Sequence, residues 1–549
     1  MRGPHTPAPD AHARRPMSSN ELAATIAEAV AAAGADTVFG MPGGGNNLDF
    51  IGAAEAAGLR FVLAHAETPA AMMASVYGDL TDSPGVCVVT RGPGAASAVN
   101  GVANAMLDRQ PLVLVTDTVS AADAERIAHQ RLDQRALYAP VTKRSATAGS
   151  GGDAGVTVRH TVGAAMSLPR GPVHLDFDPS ATSSPTPSEI AAEPSPDTVD
   201  DALRLISQAK RPLVLLGVGA RGLAGPVRTL LAESAAPTLM TYRAKGLVPD
   251  SWSNAAGLVT GATTEAPLLH AADLIVMIGV DTVEFIPNAW PYQAPVVSFS
   301  SWPETSPYLR PDVEVVGNLE KLVTELSQIW PATTWPPDAG NRHRDDELAR
   351  LCAATPGTPE GVTPQEVVLR TRAAVPTGTI ATVDAGAHML PATSLWTTED
   401  VDELIISSGL ATMGFAVPAA VAAALARPSR RIVCFTGDGG LGMCLGELET
   451  ISRLGLNVTI VVFNDSRLSL IAIKAKPDGN GGENAIGYGE TDFAQIGRGY
   501  GLAGFSADSA DELDTALARA LGQHGPSIVD VRVDSRAYGE VLAAIRGKR

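Results

Sequence analysis

The segment RIVCFTGDGG ends an apolar run in Gly437-Asp438-Gly439-Gly440 and is followed by LGMCLGELETI, which reads as the start of a helix. A glycine-rich turn between a strand's carboxyl end and a helix is where open α/β sheets bind ligands. The glycines let a diphosphate approach the N–H groups of the helix N-terminus, and Asp438 is free to hold the Mg²⁺ that a diphosphate requires. The next apolar run, VTIVVF, ends in Asn464-Asp465-Ser466-Arg467, which places Asp465 27 residues after Asp438 and at the end of an adjacent strand. Two such carboxylates can share one octahedral cation, with a loop carbonyl and diphosphate oxygens completing its shell. Taken alone, GDG reads equally well as an ordinary turn. A second glycine pattern, Gly217-Val218-Gly219-Ala220-Arg221-Gly222, matches a dinucleotide fingerprint, but the strand after it offers only Thr241 and Tyr242 where a ribose-binding acid is needed. That pattern reads as a strand-to-helix turn without a nucleotide.

The elements that must carry these turns alternate regularly. Ser18 and Glu21 form a capping box ahead of Leu22, Ile26 and Val30 at helical spacing. Continuous apolar runs then alternate with helical stretches: RFVLAHAE, GVCVVT and PLVLVTD in a first unit, PLVLLGV, LIVMIGV and PVVSFS in a second, TIATVD, RIVCFTG, VTIVVFN and SIVDVRV in a third. Such runs imply parallel strands covered on both faces. The expected fold class is α/β, three consecutive doubly wound parallel-sheet domains. The boundaries are a disordered tail at 1–17, a first domain at 18–180, a Ser/Pro linker at 181–197, a central domain at 198–330, a second linker at 331–362 and a third domain at 363–549.

Composition limits the function. The chain has 549 residues, 45% hydrophobic and 18% charged, so it is too long for a small binding module and too apolar for a disordered chain. A net charge of −18 opposes binding to nucleic acid or to anionic membranes. No apolar stretch is long enough to span a bilayer, and the first residues have neither an apolar core nor a cleavage site of a secretory signal, with Met17 as an alternative start. Cys87, Cys352, Cys434 and Cys444 include no C-x-x-C pair; Cys87 and Cys434 read as buried strand thiols, and a cytoplasmic location is expected.

GDG followed some two dozen residues later by Asn-Asp resembles the thiamine diphosphate motif of the acetolactate synthase, benzoylformate decarboxylase and pyruvate decarboxylase superfamily. The resemblance runs from about residue 18 to 541. FGMPGGGNNLDF is similar to the FGxPG turn of that superfamily's pyrimidine-binding domain, AHAETPAAMMASVYG to its RHE-x-x-A segment, and TRGPGAASAVNG to its GPG segment. VDAGAHMLPA and SSGLATMGFAVPAA are similar to stretches of its diphosphate-binding domain. Glu67 then has the role of the carboxylate bonded to the pyrimidine N1′, which favours the tautomer whose imino group removes the C2 proton of the thiazolium. The same resemblance implies that Met413 is the apolar residue between the two rings, that Asp438, Asp465 and the Arg467 carbonyl hold Mg²⁺, and that Gly386, His388, Gly437, Gly439 and Gly440 lie at the diphosphate.

The family pattern is departed from at three places: one beside the diphosphate, at Asp465, and two near the reacting carbon, at Ala66 and Arg91. Asp465 replaces a usual Asn, Ala66 replaces the His of RHE with His65 one position earlier, and Arg91 replaces a Ser. Arg91, His129 and Gln130 are candidates, with His65, to meet a carboxylate or an acceptor. The resemblance implies decarboxylation of a 2-oxo acid with transfer of the acyl anion to a carbonyl compound. The alternatives are release of an aldehyde, cleavage of a 2-hydroxy carbonyl bond, and a silent cofactor-binding regulatory paralogue. FAD is not expected, because AAGLVTGATTE lacks the Met-His of the family's flavin segment. PDGNGGENAIGYGETDF has the position of an active-site lid. Glu67 and Asp438, 371 residues apart, come from different subunits in this family, so a homodimer or homotetramer is expected.

Overall fold

A computed structural model of the chain describes residues 17–120, 123, 126–183, 196–285, 290–303, 309–355, 361–474 and 482–546. The expected tail apart from Met17, the body of the first linker and the first residues of the expected lid lie outside the described residues.

Among the described residues, eighteen strands form three sheets of six, and every pairing between strands within a sheet is parallel. The first contains β1 (Thr37–Met41), β2 (Arg60–Leu63), β3 (Gly85–Val89), β4 (Leu112–Asp117), β5 (Arg144–Gly152) and β6 (Pro172–Ser183), in the order β2-β1-β3-β4-β6-β5. The second contains β7 (Pro212–Leu216), β8 (Thr238–Met240), β9 (Ala255–Leu258), β10 (Leu274–Ile278), β11 (Val296–Ser300) and β12 (Val313–Val316), ordered β12-β11-β10-β7-β8-β9. The third contains β13 (Ile380–Val383), β14 (Leu404–Ile406), β15 (Ile432–Gly437), β16 (Val458–Asn464), β17 (Ala503–Ala507) and β18 (Ser527–Arg532), ordered β14-β13-β15-β16-β18-β17. The three α/β units expected from the apolar runs are therefore present.

Central strands such as β3, β7, β15 and β16 are buried along their whole length, because helices cover both sheet faces. Each fully buried Val or Ile there contributes about 1.5–3 kcal/mol of transfer free energy. Capping boxes at Ser18/Glu21 and Thr363/Glu366 open the first and third units. The helix Glu67–Thr81 packs on the helix Ala416–Ala426, and both lie in one continuous apolar core that joins the first and third units. Their many alanines let the two backbones come close. Cys87, Cys434 and Cys444 are buried, and all four cysteines are free.

The central unit grips the other two through its glycine pattern. Arg221, on the turn after β7, forms ion pairs with Asp79 of the helix Glu67–Thr81 and with Asp402 of the third unit. Arg243 reaches the same Asp79 at 2.7 Å. Desolvated pairs of this kind are costly to break, because a lone buried charge remains.

Candidate active site

The GDGG turn stands where an apolar strand runs out. β15 ends at Gly437, which caps the short helix Asp438–Gly442, and the carboxylate of Asp438 turns back onto backbone amides. Its Oδ1 accepts from Gly439 N (2.6 Å) and its Oδ2 from Arg467 N (3.2 Å), so Asp438 ties its own turn to the loop after β16. Burial pushes the Asp438 carboxyl above its usual range, opposed by those amides. Asp465, at the start of that loop, accepts from the Ser469 hydroxyl and is pushed up to about 7 by burial, with Asp438 adding to the rise. Among the described residues no three His, Cys, Asp or Glu side chains form a metal cluster. Asp438 and Asp465 supply two oxygen-bearing groups, and a backbone carbonyl such as that of Arg467 would be a third.

His388 and Gly386 sit beside this turn. The His388 ring stacks on Phe463 at 5.2 Å and lies where side chains on Gly386 or Gly437 would be, 2.7 and 3.1 Å from their missing Cβ positions. It is 5% exposed, and burial pushes it down to about 4. One ring nitrogen bonds to the Asp384 backbone. The other, Nε2, is buried without a partner among the described residues, and a ligand oxygen accepting from a proton-bearing Nε2 would complete it once the ring is protonated. Over Gly439 an apolar wall closes in: Met413 Cε, Leu468 Cδ2 and Tyr488 lie 3.2–3.3 Å from its missing Cβ. Tyr488 belongs to the described part of the expected lid.

The turn's framework includes Asp384, the second residue of the VDAGAH segment, whose role is not apparent from sequence. Asp384 is fully buried and accepts from Ala385 N, Gly414 N, Phe415 N and Thr436 Oγ1 at 3.0–3.1 Å. A Cβ on Gly440 would lie 2.2 Å from its Oδ2, so only glycine fits there. Burial pushes Asp384 up to about 6.

Glu67 occupies a different place, as the first residue of the helix Glu67–Thr81 in the first unit. Its Oε1 lies 3.2 Å from the missing Cβ of Gly94, beside Thr90, and it has no hydrogen-bond or ion-pair partner among the described residues. No hydrogen bond or ion pair among them joins it to Asp438 or Asp465. His65, two residues earlier, is paired through Nε2 with Glu449 of the third unit at 2.7 Å. Arg91 follows β3 and approaches Asp117 at the end of β4 at 3.7 Å, with its side chain one-third exposed. His129 and Gln130 are exposed in the loop after β4, and the Gln130 backbone packs against Gly92 at 2.7–3.0 Å from its missing Cβ. Buried Gln134 fixes this corner, accepting from Gly92 N (2.9 Å) and donating to the Asp117 carbonyl (2.9 Å) and Asp176 (2.6 Å). Its signal was invisible locally, since its partners lie on three other segments.

The central crevice has a different filling. Val218 N, inside the Gly217–Gly222 pattern, donates to the buried carboxylate of Glu284 at 2.9 Å, and Trp302 lies 2.9 Å from the missing Cβ of Gly219. The amide that a pyrophosphate would need there is already used by the Glu284 carboxyl.

The chain matches three family models in order: "Thiamine pyrophosphate enzyme, N-terminal TPP binding domain" over residues 20–137, its central domain over 199–326 and its C-terminal TPP binding domain over 384–531. It is 28% identical to the acetolactate synthase isozyme 1 large subunit of Escherichia coli, over 91% of this chain and 92% of that protein. Identity to the acetolactate synthase of Bacillus subtilis is 27% over 95% and 94%, and to the catabolic acetolactate synthase of Raoultella terrigena 29% over 93% and 94%. With one model matched in each of the three sheet-bearing units, in order, and relatives aligned over nearly the whole chain, the chain belongs to the acetolactate synthase-like superfamily of thiamine pyrophosphate-dependent enzymes.

Proposed function

We propose that this chain decarboxylates a 2-oxo acid with thiamine diphosphate and Mg²⁺ and transfers the acyl anion to a carbonyl acceptor, at a site shared by two copies of the chain. The observation that carries the reading is the pairing of an unpartnered His388 Nε2 beside the GDGG turn with an unpartnered Glu67 carboxylate at a helix start. Both fit the two ends of that cofactor, and the named relatives, which align over nearly the whole chain, support the acyl transfer.

Thiamine diphosphate, when bound, supplies the thiazolium carbon that accepts the electrons released with CO₂. Asp438, Asp465 and the Arg467 carbonyl would hold the cation, oxygen ligands of the kind Mg²⁺ prefers. Gly386, His388, Gly437, Gly439 and Gly440 would receive the diphosphate, and Met413 with Leu468 and Tyr488 would wall the rings off from water. Glu67 would hold a proton at the pyrimidine N1′. Arg91, kept in place by Asp117, would bind the substrate carboxylate, and His129 and Gln130 would face the acceptor. His65 is the least available candidate, since Glu449 holds its ring; in this reading it frames the Glu67 turn. The filled central crevice supports a chain without FAD, which a flavin absorption band in natively purified protein would refute. Free cysteines, three of them buried, fit a reducing cytoplasm, and no helix among the described residues is long and apolar enough to cross a membrane.

The test incubates the holoenzyme with a panel of 2-oxo acids and acceptor carbonyl compounds, following CO₂ release and product mass. A 2-hydroxy ketone or acid is expected. An aldehyde alone, or no CO₂ from any member, would overturn the assignment.

A further inference from the structure

Glu447 opens the helix Glu447–Arg453 that follows the GDGG turn, and its carboxylate is 1% exposed. Taking a carboxylate out of water is expensive unless its oxygens are well used. Here Oε1 accepts the backbone N–H groups of His65 (3.0 Å) and Ala66 (3.2 Å), and Oε2 accepts from Thr450 Oγ1 (2.8 Å). The two amides lie 382 and 381 residues away, on the first sheet's unit.

Those amides have no local alternative. Ala66 is the cap of the helix Glu67–Thr81, in extended conformation and without a side-chain cap bond, because alanine has no oxygen to offer. The first residues of a helix are held only by what reaches them from outside, so the direction in which Glu67 leaves the helix depends on how residues 65 and 66 are fixed. Three further contacts from the same segment grip the same turn. Arg453 donates to the Leu63 carbonyl (2.6 Å), Glu449 holds the His65 ring, and Gly446 leaves no room for a Cβ, which would stand 2.7 Å from His65 Cβ.

We propose that Glu447 is a positioning residue for Glu67: by accepting the amides of His65 and Ala66 it fixes the backbone from which the Glu67 carboxylate reaches the pyrimidine. The proposal rests on the reading that Glu67 acts at the pyrimidine. Charge-assisted hydrogen bonds are stronger and more directional than neutral ones, and an anion at Oε1 holds both amides at once. A Gln at 447 keeps an oxygen at the same reach, whereas an Asp keeps the charge but withdraws it by one methylene.

Glu447→Ala, Glu447→Asp, Glu447→Gln and Glu67→Gln are compared in two measurements. Amide hydrogen exchange of the cofactor-free protein is expected to speed up about tenfold or more at residues 65–66 in the Ala and Asp variants, the loss of a hydrogen bond to a charged group, with residues 431–440 unchanged. Gln should restore most of the protection. With thiamine diphosphate and Mg²⁺ bound, the Ala and Asp variants should retain cofactor affinity within about threefold but lose the circular dichroism of the activated pyrimidine tautomer, as Glu67→Gln does; Gln at 447 should keep it. Should the Ala variant fail to fold, the Asp variant carries both readouts. Unchanged exchange at 65–66, or a tautomer signal that survives in the Asp variant and is lost in Glu67→Gln, overturns the proposal. A signal that survives in Glu67→Gln overturns instead the reading of Glu67 on which the proposal stands.

Discussion

Replacing His388 by Phe isolates one polar atom at the diphosphate end of the site. The phenyl ring would keep the stacking on Phe463 and the wedge between Gly386 and Gly437, and lose only the ring nitrogens. A hydrogen bond to a charged group contributes about 1.5–3 kcal/mol, which is about 10- to 150-fold in affinity. Protonation reduces that gain. His388 already spends one nitrogen on the Asp384 backbone carbonyl, and burial holds it down to about 4, so at pH 7 Nε2 carries a lone pair rather than a proton. Donating to a phosphate oxygen requires a proton taken up against about three pH units, a cost of about 4 kcal/mol that the nearby anion must offset. Because that cost exceeds the hydrogen-bond gain, the diphosphate charge has to cancel it before any gain appears, and the expected loss at pH 7 is at most about tenfold. The sign with pH follows: the group charges only on binding, so wild-type affinity rises relative to the variant as pH falls from 8 towards 6. Calorimetric titration of cofactor-stripped protein with thiamine diphosphate and Mg²⁺, in buffers of unequal ionisation enthalpy, reads both quantities. Wild type should bind more tightly and take up as much as one proton more than the variant. Equal affinity and equal proton uptake would refute the placement of His388 at the diphosphate.

Three further outcomes follow from other parts of the molecule. Glu284 is buried and pushed up from 4.5 to about 7, so its contribution to stability is present below pH 4.5 and lost as pH rises through 7. Glu284→Gln should match wild type in melting temperature near pH 4.5 and exceed it at pH 8, by at most about 3 kcal/mol of stability; parallel profiles would contradict the burial argument. Arg221→Met leaves Asp79 and Asp402 short of a partner, and breaking such a pair costs about 3–5 kcal/mol, so calorimetry should show a lowered or split transition. Chelation of divalent cations should release thiamine diphosphate, and Mn²⁺ followed by electron paramagnetic resonance should rebind to wild type but not to Asp438→Ala.

The strands read from continuous apolar runs are mostly those buried along their length, β3, β4, β7, β10, β11, β13, β15, β16 and β18, with the edge strand β2 (RFVL) read as well although only Val62 in it is buried. Those without a clear signal were edges. β5 reads RSATAGSGG, β9 AAGL and β17 AGFSA, short or small-residue segments that pair on one side only and so need no apolar run. The site divides in the same way. Asp438 and Asp465 were singled out because a strand end and a glycine turn beside them are local signals, and Glu67 through the family resemblance of its segment. Asp384, Gln134 and Glu447 were not, because each does its work through partners on other segments, as far as 382 residues away for Glu447. Arg221 stood in view inside a nucleotide-like pattern, but its ion pairs with Asp79 and Asp402 exist only once the three units are packed together.

Coexpression of Glu67→Gln with Asp438→Ala tests the central claim most directly, that these two carboxylates serve one cofactor from different copies of the chain. Each variant alone should be inactive. In a hybrid dimer one site then carries both substitutions and the other neither, so random pairing makes half the dimers hybrid and returns about a quarter of wild-type activity. Activity no higher than that of the separate variants would place Glu67 and Asp438 on the same chain's site, or outside it, and contradict the account.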